Sequence, residues 1–545
     1  MPFYPIHLAQ TATARGWAKA IGTSAKDAQV INGLFEVAVN PLLGTKTVYV
    51  SKRAGSTTGG VWGSSLLIAK TYGPSTLTLG LLFAGATVYS VGGDNLGSVS
   101  GTLAPNNNYV ITEAKIGSDL VQAWIDTFDF GWFLYRVATT SNFPTFTGDR
   151  TSGSAVITNI TSTTGIYKGQ AISGTGIPAS TRVLTVDSGT QITMSANATS
   201  TAAGMTITKE AIARITDADF PADGDSIVFL DGYFFAYASN GTIYQSDSND
   251  PSSWVATNVI NADYSGDGIK CIFRHGNYIV VAGETGTIQY FYNAGNPTGS
   301  VLSVAENLTV TGLNILAAPV NTSVGSFFVG SSASSQAINT TDNVALYRLT
   351  GVNTYEKVSD DVWSGIIKQS AITRVGLAEI GDKSLLLLHA ATATAIIAYD
   401  FNIKQFSVIT MDDAITSSFG VYFTKSGSTS LFSWAAGNTW TDSSAAYTLT
   451  IQTEPQDMNN GMDATDTWAD LLADTESSGT TALDYTDDDY ATWNPFGAGT
   501  FDMTVNKKRI TGGGTHNIRA YRLTHSANTG FRAQILRINH VKGDV

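Results

Sequence analysis

A chain of 545 residues is long enough to build a large core and more than one compact body. Only 14% of its residues are charged while 54 are glycine, the composition of a turn-rich all-β protein. A formal net charge of −13 with no lysine–arginine cluster argues against a surface that wraps nucleic acid tightly, and the single Cys271 excludes an internal disulfide and a multi-cysteine metal site.

Residues 1–55 form a lead-in segment. Its start, MPFYPIHLAQTATARGW, has neither the charged region nor the continuous apolar region of a secretion signal, so assembly in a cytoplasm is expected. No apolar run reaches membrane-spanning length; residues 385–388 read as a core strand. A short helix is expected over 23–32 and β-structure from 48–50, with strand–turn patterns at 81–90, 109–111, 120–126 and 132–137. The texture then changes. Residues 147–208 are nearly free of charge and dense in Ser, Thr and Gly, with five short strands expected at 155–157, 170–172, 181–186, 191–194 and 205–208. They read as a small β-domain inserted between two strands of a larger β-structure.

The next stretch carries the strongest signal. IVFLDGYFFAYASNGTIYQSD (227–247) and CIFRHGNYIVVAGETGTIQYFYN (271–293) have the same layout: an apolar run, a turn with glycine, an aromatic-rich run, a second glycine turn and a third run. Asp231-Gly232, His275-Gly276, Asn240-Gly241 and Glu284-Thr285-Gly286 supply the positive φ that tight hairpins need, with His275 in the slot of Asp231. The turn glycines recur about 44 to 45 residues apart, the length of a four-stranded propeller blade. One blade cannot bury both of its faces alone, so the repeat predicts a β-propeller. Further blade-like runs lie at 326–329 with 344–349, 379–389 with 395–399, and 420–424, 430–434 and 446–451. Residues 452–495 are acidic and read as loop-rich, including 487–489 as a solvent-facing cluster; 496–545 return to strands. There Tyr521 and Leu523 alternate with Arg522, and Ala533 and Ile535 with Gln534. The expected division is 1–146 (lead-in and first part of the propeller), 147–208 (inserted domain), 209–451 (rest of the propeller) and 452–545 (acidic loops and closing strands).

Motifs for chemistry are sparse. The six histidines lack the i, i+4 spacing of a zinc site, and there is no HExxH, GxSxG, Walker loop or GxGxxG after a strand. Asp263-Tyr264-Ser265-Gly266-Asp267-Gly268 imitates the first half of a calcium loop, but Arg274 stands where the bidentate glutamate belongs. Glycan-cleaving propellers pair carboxylates near their axis; Asp231, Glu284 and Asp400 adjoin blade-like strands and are the candidates for such a pair, with solvated turn carboxylates the simpler reading. The tryptophans are scattered, which suits packing better than a sugar-stacking row. No catalytic, cofactor-binding or metal-binding residue is therefore assigned, and no enzymatic activity or cofactor is expected.

Residues 214–299 carry a family pattern: ITDADFP, DSIVFLDGYFF, SDSNDPSSW, Asn261-Ala262-Asp263, DGIK and FRHGNYIVVAGETGTIQYFYNAG. This resembles the tail-hub or nozzle proteins of short-tailed phages (podoviruses), also called packaged-DNA stabilisation proteins. Asn32-Gly33-Leu34-Phe35-Glu36, Arg53-Ala54-Gly55 and residues 519–538 are similar to the family's opening and closing segments. Ile279-Val280-Val281 departs from it where an aromatic is common, and 147–208 stands as an insertion. The resemblance implies a non-enzymatic virion protein made in the bacterial host. It implies a homohexameric ring at the distal end of the tail, below an adaptor ring, that closes the DNA channel and offers its outer surface to fibres or spikes. With an acidic chain, DNA is expected to pass without tight binding. The alternatives are an extracellular propeller that binds or cleaves glycans, and a trimeric tail fibre with a β-rich shaft.

Overall fold

The computed structural model describes residues 3–8, 29–39, 46–61, 66–69, 81–90, 95–99, 111–117, 119–126, 130–136, 145–221, 223, 226–238, 240–262, 266, 268–317, 319–332, 344–380, 383–390, 394–434, 440–442, 445–459 and 461–542. Residues 23–28 of the expected helix, residues 109–110 and most of the calcium-loop look-alike (263–265 and 267) lie outside these. The chain divides into a central unit, residues 60–375 with 427–430, and a terminal unit, residues 1–59, 376–426 and 431–545.

The central unit is a run of antiparallel sheets of blade type. The first comprises Leu66–Ala69, Leu81–Ala84, Thr87–Ser90 and Asn95–Ser98. The second comprises Thr112–Ile116, Asp119–Ile125, Gly131–Arg136 and the end of the long strand Ala202–Arg214. The third runs from Ile227–Leu230 through Tyr233–Tyr237 and Thr242–Asp247 to Asp250–Asn261; the fourth from Ile269–His275 through Tyr278–Gly283 and Thr287–Asn293 to Leu302–Val304. The fifth contains Leu313–Ile315, Gly325–Ser332, Val344–Gly351 and Thr354–Lys357.

Strand alternation explains why these sheets stack. Successive side chains point to opposite faces of a strand, so each blade feeds two cores. In the second blade Trp132 and Leu134 join Phe83 and Trp124 in the core shared with the first blade, while Phe133 joins Ile227 and Phe234 in the core shared with the third. In the third, Phe235 and Tyr237 turn instead toward Ile279 and Val281 of the fourth, whose Val280 and Ala282 meet Phe328 and Tyr347 of the fifth. Full burial of each large apolar side chain contributes about 1.5–3 kcal/mol, so no blade in this row is stable apart from its neighbours. This is β-propeller packing.

The repeat is real, but its register differs by one residue from the sequence alignment. Leu230 pairs with Tyr233 across Asp231 (φ +48°) and Gly232 (φ +93°), a type I′ pattern; His275 pairs with Tyr278 across Gly276 (φ +60°) and Asn277, so only the first turn residue has positive φ. Gly232 is thus the second turn residue and Gly276 the first. His275 is the last residue of its strand and not the counterpart of Asp231. The two hairpins end in different turn types, and a glycine satisfies each at a different place.

Residues 145–208 carry Thr145–Arg150, Val156–Thr158, Gln170–Ser173, Val183–Ser188 and Gln191–Met194, closed around Ile157, Ile172, Ile192, Met194 and Ile207. The strand Ala202–Arg214 serves both this segment and the second blade: Thr206–Thr208 pair with Thr145–Thr147, whereas Ile212–Arg214 pair with Trp132–Leu134. Tyr167 stacks on Tyr135 of the blade with ring centroids 4.2 Å apart. One unbroken strand plus that stack makes a stiff joint.

In the terminal unit, Lys383–Ala390, Ala395–Asp400 and Gln405–Thr410 follow Ile372–Ile380 in one sheet, and Ile415–Phe419, Tyr422–Lys425 and Ser430–Trp434 lie in another, where Ser56–Val61 from the start of the chain is the fourth strand. Leu385, Leu387, Ile396, Phe423 and Trp434 pack between them. The remainder is a sandwich. One sheet holds Gly33–Val39, Lys46–Lys52, Arg532–Lys542, Ala464–Ala473 and Lys508–His516. The other holds Leu449–Gln452, Ile518–His525, Thr480–Thr486 and Asn494–Asp502, and is linked through Gln29–Ile31 to Gln405–Thr410. Phe35, Val50, Leu483, Phe496, Phe501, Tyr521, Leu536 and Ile538 fill the space between. Two expectations are corrected here. Gln29–Ile31 is a strand, held by Val30↔Ile451 pairing, and the segment 452–495 is built around the strands Ala464–Ala473 and Thr480–Thr486. Asp470 and Asp484, which read as loop, alternate along these strands with buried Ala469, Leu471 and Leu483. The helix Asp361–Gln369 was not foreseen; Asp360 caps it by accepting a 2.8 Å hydrogen bond from Trp363 N–H. No helix among the described residues is long and apolar enough to cross a membrane.

Candidate functional site

The second, third, fourth and fifth blades line a cavity of about 790 Å³. It forms because the first strands of the second, third and fourth blades, Thr112–Ile116, Ile227–Leu230 and Ile269–His275, lie side by side, and the loop at 319–326 of the fifth blade adds a wall. Phe229 N–H donates a 2.8 Å hydrogen bond to Thr112 Oγ1 and ties the second blade to the third at the cavity edge.

A directed chain of hydrogen bonds builds the polar wall. Asn321 Nδ2 donates to the Arg274 carbonyl at 2.8 Å, so Asn321 Oδ1 faces Ser326, whose hydroxyl donates to it at 2.7 Å. Ser326 Oγ then accepts from His275 Nδ1 at 2.7 Å. A backbone carbonyl can only accept, so this chain runs one way, with His275 Nδ1 as its donor to Ser326. Burial holds the His275 pKa below the usual imidazole value, with a hydrogen bond to the Gly351 backbone working the other way. Glu113 accepts a 2.8 Å hydrogen bond from Gln122 Nε2 on the neighbouring strand. Lys115 and Arg274 complete the charged lining.

The carboxylates singled out from sequence do not assemble. Asp231 is exposed in the turn after the first strand of its blade; Glu284 is exposed in the turn after the second strand of the next, at the opposite end of the strands. Asp400, in the terminal unit, is buried, and its Oδ1 accepts from the N–H groups of Asn402 and Ile403 at 2.9 and 3.0 Å, closing its own turn. His389 spends its nitrogens on the Ile415 carbonyl and Ser418, and His525 on Thr481 and Thr529. Among the described residues no three His, Cys, Asp or Glu side chains gather in a metal-holding arrangement.

A polar centre that sequence reasoning missed is structural. In the sandwich Arg519, 1% exposed, donates to Asp466 at 2.9 Å and grips both oxygens of Asp487 at 2.7 Å. Tyr521 O–H donates to the same Asp466 oxygen at 2.8 Å, and burial, reinforced by that carboxylate, pushes the phenol pKa well up. The alternation of Arg519, Tyr521 and Leu523 is visible in sequence, but partners more than thirty residues away are not.

Among solved structures the chain is similar to the computationally designed Ika8 protein (11% identity, TM-score 0.31, covering 70% of this chain and 100% of that one). It is also similar to the WD40 β-propeller domain of Doa1 (9%, 0.31, 71% and 98%) and to BamB from Moraxella catarrhalis (10%, 0.30, 70% and 97%). No curated protein matches the sequence. Residues 161–343, which run from inside the Ser/Thr-rich segment through the third and fourth blades into the fifth, match the phage family model described as Bacteriophage P22 Gp10, beta-propeller.

Proposed function

We propose that this chain is a structural virion protein of a short-tailed phage, forming the hub or nozzle ring at the distal end of the tail. There it closes the DNA channel, retains packaged DNA until ejection, and carries fibres or spikes on its outer surface. The observation that carries this reading is the family match over the two hairpin repeats at 227–293. The fold suits the role. Blades that share every core present only short, protected strand edges, so each subunit is a rigid block for a ring closed by heterologous contacts. Residues 147–208 act as an outward decoration, stiffly joined through Ala202–Arg214. The adaptor ring above and the fibres or spikes outside are the protein partners, and the ring assembles as a homohexamer in the host cytoplasm.

A glycan-cleaving role needs two converging carboxylates, and Asp231 and Glu284 sit at opposite strand ends. Electron microscopy of the purified chain is the test: six-fold rings are expected, whereas monomers at high concentration, or trimeric rods, refute the hub reading. In a mobility-shift titration at physiological salt, duplex DNA is expected to stay unbound; tight binding that weakens steeply with salt would mean a channel that grips DNA.

A further inference from the structure

The terminal unit carries a cavity of its own, about 450 Å³, where the end of the strand Lys46–Lys52 meets the loops that follow Ala464–Ala473 and Ile518–His525. Its lining includes Trp440. Trp124, Trp132, Trp254, Trp363 and Trp434 are buried, and Arg509 and Arg522 lie over the rings of Trp468 and Trp493 at 3.8 and 4.3 Å. Among the described tryptophans, Trp440 alone is neither buried nor capped by a cation. Glu476 reaches the same space. A Cβ on Gly530 would stand 3.2 Å from Trp440 Cζ2 and 3.3 Å from each Glu476 carboxylate oxygen, so it is the bare backbone at 530 that leaves room between indole and carboxylate. No donor among the described residues bonds to that carboxylate; burial, with Asp474 adding to it and Lys508 opposing, holds its pKa above the usual glutamate value.

The rest of the lining narrows the ligand, because its other charges are already engaged. Glu36 accepts from Arg532 Nε at 2.7 Å, and Lys52, 2% exposed, donates to the Ala527 carbonyl at 2.7 Å. The groups with capacity left are the Glu476 carboxylate, the exposed Asn528 amide and the exposed Ser477 hydroxyl. A carboxylate and an uncovered indole side by side suit a ligand that donates hydrogen bonds and also has an apolar face. An anion is repelled by Glu476. An ammonium ion meets Arg532 and Lys52 in the same lining, and Lys508 already supplies Glu476 with opposite charge. Two neighbouring hydroxyls donate to both oxygens of one carboxylate without adding charge, and the C–H face of a sugar ring is apolar enough to lie on an indole. The loops are also held before any ligand arrives: Glu476 N–H donates to the Met503 carbonyl at 2.9 Å and Thr529 Oγ1 to the Ser478 carbonyl at 3.3 Å. A volume of about 450 Å³ is within the range of small-molecule sites.

We propose that this cavity binds a neutral sugar unit of a glycan, with two adjacent hydroxyls donating to Glu476 and the ring lying on Trp440. This goes beyond the tail-hub reading and does not depend on it. The test is calorimetric or NMR titration of the full chain with the methyl pyranosides of glucose, galactose, mannose and N-acetylglucosamine, with glucuronate and putrescine as the anionic and cationic comparisons. Saturable binding of at least one of the four neutral sugars is expected, the tightest of them identifying the favoured hydroxyl configuration. Glucuronate and putrescine should bind at least about tenfold more weakly than that sugar. Trp440→Ala and Glu476→Gln should each weaken it about tenfold, while the exposed Glu306→Gln, in the other unit, changes nothing. If Trp440→Ala alters the melting curve, Glu476→Gln, at a half-exposed side chain of unchanged shape, decides the matter. No saturable binding of any of the four sugars, tighter binding of glucuronate or putrescine, undiminished binding by Glu476→Gln, or equal losses in Glu306→Gln and Glu476→Gln overturns the proposal.

Discussion

Arg53 is the residue whose loss the structure penalises most clearly. Its side chain is fully buried in the terminal unit; NH2 lies 2.5 Å from Asp442 Oδ2, NH1 3.0 Å from Oδ1, and Nε donates to Asn32 Oδ1 at 3.2 Å. The guanidinium also lies 3.9 Å from the Tyr447 ring centroid and 5.4 Å from that of Trp434, while the Tyr447 hydroxyl bonds to the Arg53 carbonyl. Asp442 is bonded to Ser56 as well, so the cluster ties residues 32, 442 and the strand Ser56–Val61 together. Replacing Arg53 by Met keeps the volume but strands the Asp442 carboxylate, whose side chain is 11% exposed. Removing one partner of a buried pair costs about 3–5 kcal/mol, or about 6–20 °C in Tm for a body of 150–250 residues. Replacing both partners should cost far less than the sum, because an apolar pair leaves no charge unpaired. Urea unfolding of Arg53→Met, Asp442→Leu and the double variant, followed by tryptophan fluorescence, gives the coupling directly. If Arg53→Met costs under about 1 kcal/mol, or if the two single losses simply add, the cluster does not hold this unit together.

Acid should destabilise the terminal unit in a defined window. Burial, helped by Lys52, depresses the His525 pKa from 6.5 to about 4, so the unfolded chain takes up a proton there that the folded one refuses. Stability is intact above about pH 6.5 and falls toward pH 4, by up to about 3 kcal/mol from this group; His525→Gln should flatten that part of a pH–Tm profile, and an unchanged slope would remove His525 as the cause. Gly169 (φ +87°) joins the inserted segment to the blade, and a Cβ there would lie 1.8 Å from the Arg214 carbonyl oxygen. Gly169→Ala should therefore cost several kcal/mol, against about 1 kcal/mol for Gly153→Ala, which has a similar φ but open space; equal melting temperatures for the two variants would contradict the shared-strand joint.

The blade repeat was legible because hairpin turns need positive φ, and that demand writes Gly232, Gly241, Gly276 and Gly286 into the sequence. The one-residue error in aligning Asp231 with His275 has the same origin: a type I′ turn puts glycine second and tolerates Asp first, whereas the other hairpin puts glycine first. The strands of 464–486 were hidden by composition, since strands with one solvated face can carry acidic residues at every other position. What no local pattern could give is long-range pairing. Ser56–Val61 joins a sheet whose other blade strands begin at Ile415, and Arg274, Lys115, Glu113 and Asn321 come from three blades to line one cavity. Each is an ordinary polar residue in its own segment.

The distribution of arginine bears on how an acidic tail protein would treat DNA. Arg53, Arg348, Arg509, Arg519, Arg522 and Arg532 each lie within 2.9 Å of an aspartate or glutamate oxygen of the same chain, and Arg53 and Arg519 are buried as well. A guanidinium already spent on a carboxylate has little left for a phosphate, and releasing it would uncover the carboxylate beside the DNA. In these six arginines positive charge serves as internal mortar, and the chain as a whole carries a net charge of −13. Repulsion from such a chain is screened within about 8 Å at physiological salt, so it keeps a duplex off a channel wall without acting along its length. Under the proposed function, retention of DNA then has to come from the tube being closed, and ejection needs an opening of the ring but no breaking of protein–phosphate contacts.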